Sequence, residues 1–161
     1  MNKKIKSLVL IFAVVVGLGV CAQQMPISKQ LVNVSNTQQQ NYISVNPLDL
    51  VARPNFYLNK NVKIKAKFDK FATLGLDYPP AMRSSEKFIS FLIQRPDVLD
   101  HNIPLSELKI FIDRTEAEKY IDLNSGDDIE FTGKVFSNAL GDPWMQVDNF
   151  KVICTKPKEN K

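Results

Sequence analysis

Apolar and polar positions alternate with a period of two in several short runs, and each run predicts a strand. Val62, Ile64, Ala66 and Phe68 alternate with Lys63, Lys65 and Lys67, so one face of this strand is buried and the other wet. Phe88-Ile89-Ser90-Phe91-Leu92-Ile93 is a second, nearly continuous apolar strand that Pro96 ends. A third strand spans Leu108 to Ile112, after a loop that holds His101 and Pro104. The fourth runs from Ile129 through Phe131 to Phe136, and Gly133 in its middle predicts a bulge or a sharp coil. The fifth runs from Trp144 to Ile153.

Helical signals are fewer. Asn46-Pro47-Leu48-Asp49 supplies an N-cap, a proline at the first helical position and an acid in the first turn. A short helix through about Ala52 follows, closed by Pro54, after which Phe56, Tyr57 and Leu58 approach the core. Thr115-Glu116-Ala117-Glu118 reads as a capping box with Thr115 at the N-cap. That helix is expected to reach about Leu123, with Ala117, Tyr120 and Ile121 on one face. The order is three strands, a helix, then two strands, with a short helix in front. This is an all-β class with one or two short helices. The connectivity is that of the OB-fold, a five-stranded Greek-key barrel with a helix between strands three and four.

Two segments carry a family resemblance. Asn124-Ser125-Gly126-Asp127-Asp128-Ile129-Glu130-Phe131-Thr132-Gly133-Lys134-Val135 resembles the G-D-x-V-x-x-x-G-K-V fourth strand of bacterial OB-fold domains. Pro54 to Ile64 is similar to their P-x-x-Y-x-x-K-x-V-x-V entry into the first strand. The group resembled is the anticodon-binding-like OB-fold domains found in exported bacterial proteins, over about residues 47–153. What the resemblance implies is the fold; its motifs set a turn and a bulge and say little about function.

The two ends change the picture. Three lysines at positions 3, 4 and 6 precede an uncharged apolar run from Leu8 to Val20, the pattern of a secretory signal. Residues 1–22 are therefore expected to be a signal peptide, with an uncleaved N-terminal anchor as the alternative. Val20-Cys21-Ala22 suits cleavage after Ala22, whereas Leu18-Gly19-Val20-Cys21 resembles a lipobox that would make Cys21 a lipidation site. Residues 23–45, rich in Gln, Asn and Ser, are expected to be a flexible polar linker. The OB-fold domain is placed at 46–155 and a basic tail at 156–161. Of the net charge of +4, the signal contributes three and the tail two, which leaves −1 on residues 23–155. A general polyanion binder would carry a clear positive excess there.

Candidate chemistry is sparse. His101 stands alone, and with Cys154 it falls short of a metal set, so no metal and no cofactor are expected. Cys154, beside Val152 and Ile153, is expected to be a small buried hydrophobe. Asp127 and Asp128 are adjacent in a strand start and should face opposite ways. No catalytic set emerges, and the chain is expected not to be an enzyme. Binding is the better prospect. OB barrels bind along strands two and three and the flanking loops, which here are about 71–87 and 137–143. Those loops offer Tyr78, Arg83 and Trp144, and Lys63, Lys65 and Lys67 form a basic stripe. The expected function is an exported, non-catalytic binding module of the bacterial cell envelope or periplasm. Its partner would be a protein or envelope component, with membrane contact only through the signal anchor or a lipidated Cys21. The alternative is single-stranded nucleic acid or another polyanion on the OB-fold face.

Overall fold

The computed structural model describes residues 41–99 and 102–155. The signal peptide, Cys21, most of the expected linker, His101 and the basic tail lie outside the described residues. The first element, β1 (Ile43–Ser44), falls inside the stretch expected to be linker and pairs in parallel with Val62 and Lys63. Next come α1 (Pro47–Ala52) and α2 (Pro54–Tyr57). The α1 cap is as expected: Asn46 Oδ1 accepts from the Leu48 N–H at 2.9 Å. Of the residues expected to approach the core after it, Tyr57 is buried and Phe56 is exposed.

Five strands follow: β2 (Asn61–Ala72), β3 (Phe88–Ile93), β4 (Lys109–Asp113), β5 (Asp128–Ser137) and β6 (Trp144–Cys154). Their order in the sheet is β2-β3-β4-β6-β5, and β5 pairs back onto β2, so the sheet closes into a barrel. The β4–β6 pair is parallel, and the other barrel pairs are antiparallel. This is the OB-fold. Closure depends on β2 serving two neighbours. Residues Asn61–Lys67 pair with β5, a register shift follows between Phe68 and Lys70, and the rest of the strand pairs with β3. Gly133 sits at a register shift of β5 against β6, where an added Cβ would lie 2.1 Å from the Gln146 carbonyl oxygen. The bulge predicted there is present.

Between β4 and β5 the chain makes α3 (Arg114–Ala117), which tightens into a 3₁₀ turn over Glu118–Tyr120. Its cap differs from the expected box. Asp113, not Thr115, is the N-cap, and its carboxylate accepts from both the Thr115 N–H and the Thr115 hydroxyl. The helix therefore starts two residues early and ends early, leaving Ile121 76% exposed instead of packed. Cys154 is also corrected: it is exposed, because β6 runs out past its β4 partner before reaching it.

Side chains divide into two apolar clusters according to strand parity. Ile64, Phe91, Ile110, Ile112, Phe131, Met145 and their neighbours fill the barrel. Phe111 and Trp144, each one position out of phase with that set, lie on the outer face with Ala81, Leu76, Tyr78, Phe88 and Phe136.

Candidate functional site

The lysine stripe is built by β2, but β5 decides its charge. Register places Lys65 opposite Glu130 and Lys67 opposite Asp128. Lys63 Nζ lies 2.9 Å and Lys65 Nζ 3.7 Å from the two Glu130 oxygens, and Lys67 Nζ is 2.9 Å from Asp128. The Lys63 hydrogen bond holds the Glu130 carboxyl below its usual range, with burial opposing the shift. All three lysines thus have carboxylate partners. The acids carried a signal in the sequence, an Asp-x-Glu alternation at the start of the fourth strand. Matching it to the lysines requires the β2–β5 register.

The expected aromatic contacts are used internally. Trp144 is 1% exposed and stacks between Tyr78 and Phe111, with ring centroids at 5.4 and 5.7 Å. Its indole N–H donates to the Ala139 carbonyl at 2.7 Å. The loop between β2 and β3 lays Leu76, Tyr78 and Ala81 over the outer face of β4 and β6. Gly75, at φ +80°, permits this approach, since a Cβ there would be 3.0 Å from the Trp144 ring. Asp77 braces the loop by accepting from the Ser85 N–H, and hydrogen bonding to the Ser85 side chain, then to its backbone, keeps the Asp77 carboxyl below the usual range. The face on which the sequence placed ligand stacking is therefore covered by the chain itself.

Arg83 stands at the edge of this cover. Its Nε–H donates to Gln146 Oε1 at 2.8 Å and its Nη1 to the Met82 carbonyl at 2.7 Å, and the guanidinium lies 3.7 Å from the Phe136 ring centre. Burial lowers its pKa from the ordinary arginine value.

One cleft was missed by the sequence. A concavity of about 630 Å³ runs beside β2, lined by Lys65, Lys67, Arg95, Leu99, Ile129 and Ile153 among others. Leu99 and Ile153 are 93% and 55% exposed, so its apolar wall is open to solvent. Arg95 is paired with Glu107 at 2.7 Å and with Asp97 at 3.2 Å. Its volume is within the range of small-ligand pockets. The structure brings Lys65 and Lys67 together here. Tyr78 and Trp144 meet in the outer cluster, Arg83 sits at the edge of that cluster on the Phe136 ring, and Lys63 is held on Glu130. Among the described residues no three His, Cys, Asp or Glu side chains gather as a metal site would require.

No family model matches the chain, and no curated protein matches it either. Solved structures similar in fold include an asparaginyl-tRNA synthetase from Pyrococcus horikoshii, at 14% identity and a TM-score of 0.47 over 70% of this chain and 23% of that one. Another is the asparaginyl-tRNA synthetase of Entamoeba histolytica, at 17% identity and a TM-score of 0.44, over 73% of this chain and 25% of that one. A Leishmania major chain described as an aspartyl-tRNA synthetase gives 11% identity and a TM-score of 0.46, over 79% of this chain. The chain spans about a quarter of the length of these structures.

Proposed function

We propose that this protein is a non-catalytic OB-fold binding module, exported to the bacterial cell envelope, that takes a protein or peptide partner in the cleft beside β2. The observation that carries the reading is the pairing of Lys63, Lys65 and Lys67 with Glu130 and Asp128. A polyanion tracking this stripe would have to displace two carboxylates, and the bare phosphate contacts that drive such binding are not on offer. What the same surface presents instead is an open apolar wall, Leu99 and Ile153, beside charged pairs. That combination suits a partner with a bulky apolar side chain and a polar rim. Export rests on the N-terminal charge and hydropathy pattern.

The test is site-specific photo-crosslinking in intact cells. A crosslinker at Ile153 should give a discrete adduct, and one at Leu140 should not, since Leu140 is exposed in the β5–β6 loop and does not line the cleft. Lys65→Glu should abolish the adduct. Equal labelling from both positions, or tight binding of single-stranded oligonucleotide at low salt, would overturn the reading. The intact mass of the envelope-fraction protein checks export: a chain starting at Gln23, or at an acylated Cys21, supports it, and one retaining Met1 in the cytoplasmic fraction refutes it.

A further inference from the structure

Arg83 differs from the cations of the β2 stripe and of the cleft. Lys63, Lys65, Lys67 and Arg95 each lie within salt-bridge distance of a carboxylate. Among the described residues Arg83 has only neutral acceptors, Gln146 and the Met82 carbonyl, although it is half-buried. A cation partly withdrawn from water without a counter-ion is unfavourable unless something compensates it. The Phe136 ring beneath supplies part of that compensation and fixes the guanidinium plane. Two of the five guanidinium N–H groups are committed. The remaining three have no hydrogen-bond partner among the described residues.

The surroundings make a receptor of this arrangement. Arg83, Lys134, Phe136, Gln146, Val147 and Asp148 line a concavity of about 220 Å³ on the outer face of β5 and β6. Lys134 is exposed, and Asp148 is engaged by the Tyr42 hydroxyl at 2.7 Å and the Thr132 hydroxyl at 2.5 Å. Two cations and one carboxylate leave one formal positive charge facing the space. We propose that this concavity is an anion-binding site that takes a single carboxylate, held end-on by the free guanidinium N–H groups with Lys134 at its rim. A carboxylate matches both the planar fork of the guanidinium and the one unit of charge. A phosphate dianion would bring its second charge up against Asp148. Because Arg83 belongs to the β2–β3 loop while Lys134 and Gln146 belong to the barrel, a bound carboxylate would also pin the loop in its covering position. The site is separate from the cleft and stands whether or not the cleft binds a partner.

Two-dimensional ¹⁵N NMR of the full chain tests this, with the Arg83 Nε–H and the Gln146 side-chain amide as direct reporters. Titration with acetate should move both resonances saturably, with half-saturation at about 1–10 mM. An acetyl-Ala-Glu-Ala-amide peptide forms the second arm. Tighter binding than acetate assigns the carboxylate to a protein partner, and equal binding assigns it to a free small acid. Arg83→Gln, followed at the Gln146 side-chain amide, should weaken the titration at least about tenfold, and Arg83→Lys should restore part of it. Lys134→Gln, which leaves the loop anchor intact, should weaken it to a lesser degree. No saturable shift with either carboxylate, or tighter binding of inorganic phosphate than of both, would overturn the proposal.

Discussion

Gly133 marks the closest approach of β5 to β6, and no side chain fits there. Its missing Cβ would stand 2.1 Å from one backbone atom and 2.8 Å from the next. Both belong to a paired strand that cannot swing aside as a flexible side chain would. Gly133→Ala is therefore expected to destabilise the fold by about 3 kcal/mol, the upper end of ordinary overpacking, read as a lowered urea midpoint. An unchanged midpoint would mean that the two strands separate there at no cost. Trp144 gives the complementary case, a large side chain with no spare room. It is the only tryptophan, it is 1% exposed, and it lies between two rings. Its emission should be blue-shifted and resistant to acrylamide, and Trp144→Ala should cost about 3–5 kcal/mol. Red-shifted, readily quenched emission would show that the β2–β3 loop stands off the barrel in solution.

At the scale of elements, the helix after β4 depends on one carboxylate. Asp113 accepts two hydrogen bonds from Thr115, which hold its carboxyl below the usual aspartate range. Asp113→Ala should cost about 1 kcal/mol, whereas a caps-neutral change at Glu118 should cost little. The sign of the pH dependence follows from the shift. A carboxyl with a lowered folded-state pKa lends stability above its unfolded value and loses it as pH falls through the folded one. Asp77, Asp97, Glu107 and Glu130 are lowered in the same sense. Thermal midpoints should therefore decline as pH drops below about 4, and decline less in Asp113→Asn. The strands of this fold were legible in the chain because period-two burial is a local property, and α1 was legible because its cap and proline adjoin. The α3 cap was misread for a local reason too. Asp113 closes β4 before it opens the helix, so a strand pattern hides it, while Thr115 and Glu118 imitate a box. The lysine partners were out of reach for a non-local reason: Lys65 and Glu130 are brought opposite each other only by barrel closure. The covered face was hidden likewise, since nothing in Leu76 or Tyr78 tells a loop that folds back from one that reaches out.

For the whole molecule, the question is whether its charge sum or its charge placement governs binding. Residues 23–155 sum to −1, yet the three stripe lysines occupy one strand face in a row. If placement alone mattered, single strands would bind despite the sum. The ion pairs argue otherwise, because each lysine already has a carboxylate within 4 Å. Surface pairs of this kind add little to stability, so their larger effect is on what the surface can attract. Removing the acids separates the two explanations. The double variant Asp128→Asn, Glu130→Gln frees all three lysines and shifts the body by two positive units while leaving side-chain volumes nearly unchanged. By fluorescence anisotropy at low salt, the unaltered protein should bind a labelled single-stranded oligonucleotide weakly or not at all. The double variant should bind at least about tenfold tighter, with an affinity that falls steeply as salt is raised. Such a gain would show that β5 carries its acids to keep the β2 face from acting as a phosphate track. Equal, salt-steep binding by both proteins would instead move phosphate contact elsewhere on the barrel, and would set the polyanion reading above the protein-partner one.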